Sequence, residues 1–535
     1  MLKIIKKNLY IFAYLINCAS STVIEYEQSQ ILNPEMFYQG DWQNAIQAAI
    51  DSANISGVPV EFTNMIDLTL DDLDANGDLI NITVPDGVTV TGNGWNTGIK
   101  VINMPPNNST VFQVWGDDKA RFDNFAILLA DSIVNQLEHP TIGISMFGIL
   151  KRDDPNIAGL AGEIQLDRMK ISGFTNGVKA EHDAHAIYVN DSWISAREVG
   201  VGKWGNGGGR VHVTNSYLET VIDIDQNHAI YTTNSVNLLV DGCEILQGSS
   251  KYAIAVFGGT GVADYQIVRN TIIRSDDSIP QNQMSGIVTS QTGLMTIENV
   301  HIIGQNFVSG IAVGNKALIK NCYIDIRDDG INDWGLQDTQ AEILGTTIKS
   351  NSFGVILSNS QNTGTWKIKN CSVTSDSIMN TAIAITSGGV GRIEIEDTVL
   401  EKCVTAIYVE GGEVRVINTE VNPQIYTSLN DGKIYGFLRK ATKRDTMFIS
   451  GDSGGRIDLS INYNKYFVKS NGQDLRYFNF MGVGNNLDGQ LTIVPVDSWK
   501  ILQDENNIIG DSLIVKNKPV VYHFSRDEGK WMQGN

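Results

Sequence analysis

From about residue 165 to 422 one phrase recurs: apolar, any, apolar, any, a turn residue, small, any, apolar. It reads RVHVTNSYL, LLVDGCEI, QIVRNTII, MTIENVHI, ALIKNCYI, TWKIKNCSV, RIEIEDTVL and EVRVINTEV. The turn position falls at Arg168, Asp191, Asn215, Gly242, Asn270, Asn299, Asn321, Gly345, Asn370, Asp397 and Asn418, a mean spacing of 25 residues from first to last. A second short strand such as AIAVF, GIVTS, GIAVG, GVILS, AIAIT or AIYVE precedes most of these phrases. A repeat this short, made of alternating strands and no helix, cannot close its own core and must stack on its neighbours. Each repeat is therefore one coil of a parallel β-helix, with equivalent positions about 4.8 Å apart on successive coils.

That register sorts the side chains. Cys243, Cys322 and Cys371 share one inward column directly after the turn residue and read as packed free thiols. The five cysteines form no tight framework, so no disulfide scaffold is expected. Asp241, Arg269, Glu298 and Lys320 hold one outward position on four successive coils, where alternating signs make favourable cross-strand pairs.

The flanks differ from the repeat. In DWQNAIQAAIDSANISG (41–57), Asp41 is a candidate N-cap, Trp42, Ala45, Ile46, Ala49 and Ile50 form an apolar stripe, and Gly57 follows the end. This predicts a helix covering the open first coil, whose edge would otherwise invite aggregation. ITVPDGVTVTGNG (82–94) reads as the first strands. After about 430 the register is lost, and DGQLTIVPV and VYHFSRDEGKWMQ read as a separate antiparallel β domain. The expected organisation is a leader or virion-anchor segment (1–37), a helical cap with entry strands (38–80), the parallel β-helix (81–428) and a C-terminal β domain for trimerisation or glycan binding (429–535). MLKIIKKNLYIFAYLINCAS suits a short secretory signal as well as an anchor, and its apolar run is too short to span a membrane. The net charge of −20 argues against a nucleic-acid partner.

Together, DWQNAIQAAIDSA with GVPVEF, VPDGVTVTGNG, the Asn-turn coils and the closing VVYHFSRDEGKWMQ resemble the pectin-lyase-like right-handed β-helix proteins, especially bacteriophage tailspikes and capsule depolymerases. The resemblance covers roughly residues 38 to 535. It implies a single-stranded right-handed parallel β-helix, a homotrimer in the virion tail attached to a baseplate or tail protein, and a host capsular or lipopolysaccharide glycan as partner. No cofactor is implied. The leader-like start departs from the phage pattern and leaves a secreted enzyme open.

The strand before each main phrase forms one sheet, where such enzymes commonly carry their catalytic residues. Its exposed positions read, coil by coil, Lys179 and Glu181; Gly200 and Gly202; Asp223 and Asp225; Ala255 and Phe257; Val288 and Ser290. In TVIDIDQN (220–227) both aspartates project from the strand beside a coil whose glycines would leave an open trough. Asp223 and Asp225 would lie about 6.6 Å apart, and Glu181 about 9.6 Å from Asp225. Inverting glycosidases hold two carboxyl groups roughly 6.5–9.5 Å apart, which leaves room for a water. Asp223, Asp225 and Glu181 are therefore the candidate acid/base group, similar to the Asp/Asp/Glu cluster of tailspike hydrolases. Without catalysis, Asp-x-Asp would bind Ca²⁺, contact sugar, or only start a turn.

Around them, Trp193, Tyr217 and then Glu244 form one exposed column suited to stacking on sugar. GVGKWGNGGGR offers Lys203, Trp204 and Arg210 to an acidic sugar. EHDAHA carries His182, Asp183 and His185, where a loop histidine near substrate is preferred over a metal site. Asp276/Asp277 and Asp328/Asp329 are a second acidic set, read as loop charges or an alternative site. Three functions follow: a tailspike that hydrolyses host polysaccharide, a lyase or epimerase using His182, His185, Lys203 or Arg210, and a fibre that grips glycan without cutting it.

Overall fold

The computed structural model describes residues 31–422, apart from 72–80, 106–108, 132–145, 222–227, 249–250, 259–260, 278–282, 291, 335–337, 360, 377–378 and 387–390, and strands alone from 426 to 533. The leader-like residues 1–20 lie outside the described residues. Two compact units divide the chain at residues 196 and 197. Both are built from coils of a right-handed parallel β-helix, three strands to a coil.

In the first unit, helix Trp42–Ser56 forms as its sequence requires. Asp41 caps it by accepting the Asn44 N–H at 3.2 Å, and Gly57 ends it in the left-handed region at φ 70°. Ala45, Ile46, Ala49 and Ile50 are buried, whereas Trp42 lies half-exposed and stacks on Tyr38 at 4.1 Å. The cap is polar as well as apolar. The Gln47 amide accepts the Thr83 N–H at 2.8 Å and donates to the Thr83 carbonyl at 3.1 Å. It thus completes the edge of strand Ile82–Thr83 as another strand would. Within the region expected to hold the entry strands, Val60–Phe62 and Met65–Thr69 pair in parallel with Thr89–Gly92 and Gly98–Asn103.

In the second unit the coil rule is regular. A first strand such as Asn237–Asp241 ends in a left-handed residue, a second strand such as Glu244–Gln247 follows, and a third such as Tyr252–Val256 closes the coil. All eleven turn residues singled out in the sequence, across the two units, have positive φ, from 47° at Asp191 to 67° at Gly242. The left-handed region is open to Gly at no cost and to Asn and Asp at low cost, which explains the phrase. Asp241, Arg269, Glu298 and Lys320 are register partners, with Arg269 and Asp241 paired at 2.7 Å.

The residue after the turn has its own task. Cys243, Cys322 and Cys371 are buried, and each thiol donates to the carbonyl two residues back. Ser216, Thr271, Thr346, Thr398 and Thr419 make the same bond from the same position. Burial pushes these three thiols up to about 11.

The third strand carries a dipeptide of Gly or Ala followed by Ile or Val. Ile230, Ile254, Ile287, Ile311, Ile331, Val355, Ile383 and Ile407 stack as register partners, all at 0 % exposure. The glycines before Ile287, Ile311, Ile331 and Val355 lie where a Cβ would strike a side chain of the opposite wall and the backbone of the next coil. A Cβ on Gly310 would come within 2.6 Å of Ile324 Cγ2 and of the Gly330 carbonyl.

Coil pairing continues past the expected limit. Lys433–Arg439 pairs in parallel with Glu413–Asn422. Beyond it Met447–Ser450, Lys465–Lys469 and Gln490–Pro495 pair in parallel, as do Arg456–Leu459 and Tyr477–Phe480. Only Val520–Ser525 is antiparallel to Gln490–Pro495 and to Lys530–Gln533 within this sheet. The two segments that read as an antiparallel domain, DGQLTIVPV and VYHFSRDEGKWMQ, do pair antiparallel, in a sheet whose earlier pairings are parallel. Alternate-strand pairing persists here without the Asn phrase, so the sequence signal ends before the strand order does.

Candidate functional site

The third strands decide where a ligand can lie. Val199–Lys203 pairs with His228–Thr232, setting Gly202 beside Tyr231 and Lys203 beside Thr232. The register that put Asp223 and Asp225 beside Gly200 and Gly202 is corrected. VIDID and HAIYT both alternate, but only HAIYT has the small-then-branched dipeptide that the interior demands: Ala229 under the bend and Ile230 in the isoleucine column. Asp223 and Asp225 lie outside the described residues.

The glycines do not open a trough. Gly200 faces the interior, where a Cβ would meet the Ala229 carbonyl at 2.6 Å and Leu218 at 3.4 Å. Gly202 leaves space that the Trp204 indole itself fills. Trp204 then stacks on Tyr231, ring centroids 4.8 Å apart.

From that stack an aromatic patch spreads over the outer face of the sheet. Tyr252, Ala255, Val288 and Ala312 form its buried floor, with Tyr231, Phe257 and Trp334 half-buried above. Phe257 meets Tyr231 edge-on at 5.3 Å and stacks on Trp334 at 5.7 Å. His228 lies parallel to Tyr252 at 5.7 Å, and burial holds its imidazole down at about 4. The ring is thus neutral near pH 7. Phe257 was legible as an exposed position; His228, Tyr231, Tyr252 and Trp334 were missed. The available signal was an aromatic ring directly beside the small-branched dipeptide (His228, Tyr231, Tyr252) or directly after the strand's end (Phe257, Trp334), repeated from coil to coil.

The remaining candidates fall elsewhere. In the second unit, Lys203 is fully buried and its ammonium donates to the Trp204 carbonyl at 2.7 Å, so it does not meet an acidic sugar as expected. Alternation along the strand turns Lys203 inward and Trp204 outward. Arg210 is exposed at the start of Arg210–Thr214. Tyr217 and Glu244 are register partners, and Glu244 pairs with Arg274 at 3.3 Å. Burial, together with Glu219, Glu244 and Asp276, pushes the Tyr217 phenol up.

In the first unit, the Lys170 ammonium sits 4.2 Å from the Trp193 ring and 5.9 Å from that of Trp95, so it occupies a face of Trp193. EHDAHA forms a clasp. Asp153 accepts from the His182 N–H at 3.1 Å and the Asp183 N–H at 2.8 Å, and bonds His185 Nε2 at 3.0 Å. His185 Nδ1 accepts the Gly162 N–H at 3.2 Å, which makes Nε2 the protonated nitrogen. Asp183 accepts the Gly159 N–H at 2.9 Å, and Glu181 accepts the Asp153 N–H at 3.1 Å. Asp153, Asp183 and His185 lie close enough to share a metal ion, yet all three already take part in bonds that tie loop 153–160 to loop 181–185. His185 is fully buried and His182 exposed.

No protein-family model matches the sequence, and no curated protein matches it. Solved structures do resemble the fold. Bacteriophage CBA120 tailspike protein 3 is 11 % identical, with 94 % of this chain and 69 % of that one covered, at a TM-score of 0.46. The DFA-IIIase of Arthrobacter chlorophenolicus is 13 % identical, covering 68 % of this chain and 94 % of that one, at 0.42. The mannuronan C-5 epimerase A-module from Azotobacter vinelandii is 14 % identical, covering 73 % and 99 %, at 0.32.

Proposed function

We propose that this chain is a phage tailspike that binds a host capsular or lipopolysaccharide glycan and depolymerises it by glycoside hydrolysis. The observation that carries this reading is the aromatic patch of Trp204, Tyr231, Phe257 and Trp334 on an outer sheet face. Flat rings on a floor of small residues suit the apolar faces of sugars, and rows of them suit a polymer. The carboxylates proposed for the chemistry are Asp223 and Asp225, which precede His228 by five and three residues. The lyase or epimerase reading has less support, because Lys203 is buried and His185 is held in the clasp. The assembly proposed with this function is a homotrimer in the virion tail, joined to a baseplate or tail protein.

The test is to incubate the full chain with host polysaccharide in ¹⁸O-labelled water and analyse the products by mass spectrometry. Hydrolysis gives shorter chains carrying one label each. Unsaturated products would establish a lyase instead. An unchanged polymer that still binds would leave a purely adhesive fibre.

A further inference from the structure

The strand that brings Trp334 to the aromatic patch begins with a carboxylic acid. Asp329 opens Asp329–Asp333 and pairs in register with Ser309, which pairs with Ser285 one coil before. The two serine hydroxyls bond each other at 2.5 Å, and their row continues the column of Tyr252, three residues before Ala255, Val288 and Ala312 on the same strands. On the other side the Ser352 hydroxyl and the Phe353 N–H donate to Asp329, and the Asn332 amide donates from its own strand. Asn332 is the register partner of Ala312, so it joins the acid to the patch floor. The Asn332 amide oxygen has no partner among the described residues.

Asp333 on the same strand shows what a structural aspartate looks like here. It is 3 % exposed and accepts from the Ser358 N–H and hydroxyl, the Asn359 N–H and the Asn362 amide. Asp329 instead lies half-buried. Burial pushes its carboxyl up to about 6, and neighbouring Asp328 pushes it the same way. Asp328 is itself paired with Arg327 at 3.2 Å. The preceding coil presents Ser309, and the following coil presents Ser352 and the Phe353 N–H, none of which titrates in this range.

We propose that Asp329 is the general acid that protonates the leaving oxygen of a polysaccharide bound on the Trp204–Trp334 patch. This rests on the depolymerase reading above. The Asp329 O–H proton passes to the glycosidic oxygen as the bond from that oxygen to the anomeric carbon breaks. Water supplies the hydroxyl that the anomeric carbon gains, and the proton it releases restores the acid. The net change is one glycosidic bond and one water consumed, with two sugar ends formed.

The experiment compares the parent chain with Asp329→Asn on host polysaccharide, following new reducing ends, and measures binding by sedimentation with the polymer. Asn keeps the size and the acceptor of Asp but has no proton to give. The kcat should fall about 10²- to 10⁴-fold while binding and thermal stability stay at parent values. An oligosaccharide carrying a nitrophenol leaving group needs no protonation, so the variant should cleave it at close to the parent rate. The parent alone provides a second measure: its kcat should decline as pH rises through about 6. A variant that cuts the polymer at the parent rate, or a parent profile flat across neutral pH, places the acid elsewhere while the depolymerase reading stands. A parent that releases no reducing ends overturns that reading and this assignment with it.

Discussion

At the scale of single residues, the turn position and its successor account for most of the repeat. Asn299 and Asn321 hold φ values of 53° and 51°, where a residue with an ordinary Cβ costs about 1–2 kcal/mol. Asn321→Ala should therefore lower the thermal midpoint, while Asn321→Gly should match the parent within error in the same unfolding scan. The next position asks only for a small donor. Cys371→Ser should be neutral, because Thr346 and Thr398 show that a hydroxyl makes the same bond. In a Cys18→Ser background the native protein should resist thiol reagents until unfolded, since Cys243, Cys322, Cys371 and Cys403 are all buried. His228 adds a pH effect. Its folded value of about 4 lies below the ordinary 6.5, so the neutral ring is favoured by folding. The stability this contributes is present above pH 6.5 and is lost as pH falls through 6.5 to about 4, on the order of 3 kcal/mol. His228→Phe should flatten that part of the curve of thermal midpoint against pH.

At the scale of elements, the third strand is where sequence and interior meet. The Gly before Ile287, Ile311, Ile331 and Val355 is there because the opposite wall approaches within contact, and not because a turn requires it. Gly310→Ala should cost about 1–3 kcal/mol through the collision with Ile324. In a double-mutant cycle, Ile324→Ala should recover part of that cost, and strictly additive costs would show that the two do not touch. The same constraint corrects the site. A strand at 220–225 satisfies period-two alternation, but it offers no small residue ahead of a branched one, and the sheet takes His228–Thr232 instead.

At the scale of the molecule, coil stacking means that every edge must be paired or covered. Helix Trp42–Ser56 does this with an apolar stripe and with the Gln47 amide bound to strand Ile82–Thr83. Gln47→Ala leaves the Thr83 N–H and carbonyl without that partner and should lower the midpoint of thermal unfolding by an amount worth about 1–3 kcal/mol. The proposed homotrimer predicts a mass three times that of the 58.6 kDa chain by light scattering at micromolar concentration. A monomer mass would overturn it.

The sequence by itself determined the coil, the turn residues, the thiol column, the charge ladder and the helical cap. Each of these is a local demand: a φ value, a small donor, opposite charges in register or a capping side chain, and each leaves its mark at a set place in the repeat. What only the tertiary structure decided was which residues face a ligand. Lys203 and Trp204 are neighbours at the end of one strand, yet one is sealed in the interior and the other roofs a glycine and stacks on Tyr231. The rings of Phe257 and Trp334 come from coils 77 residues apart in sequence and meet at 5.7 Å. Asp329 and Asp333 share one strand, yet the next coil places Ser358, Asn359 and Asn362 over Asp333 and only Ser352 and Phe353 over Asp329. Such contacts depend on the exact register between coils, and a shift of one residue turns every side chain to the opposite face.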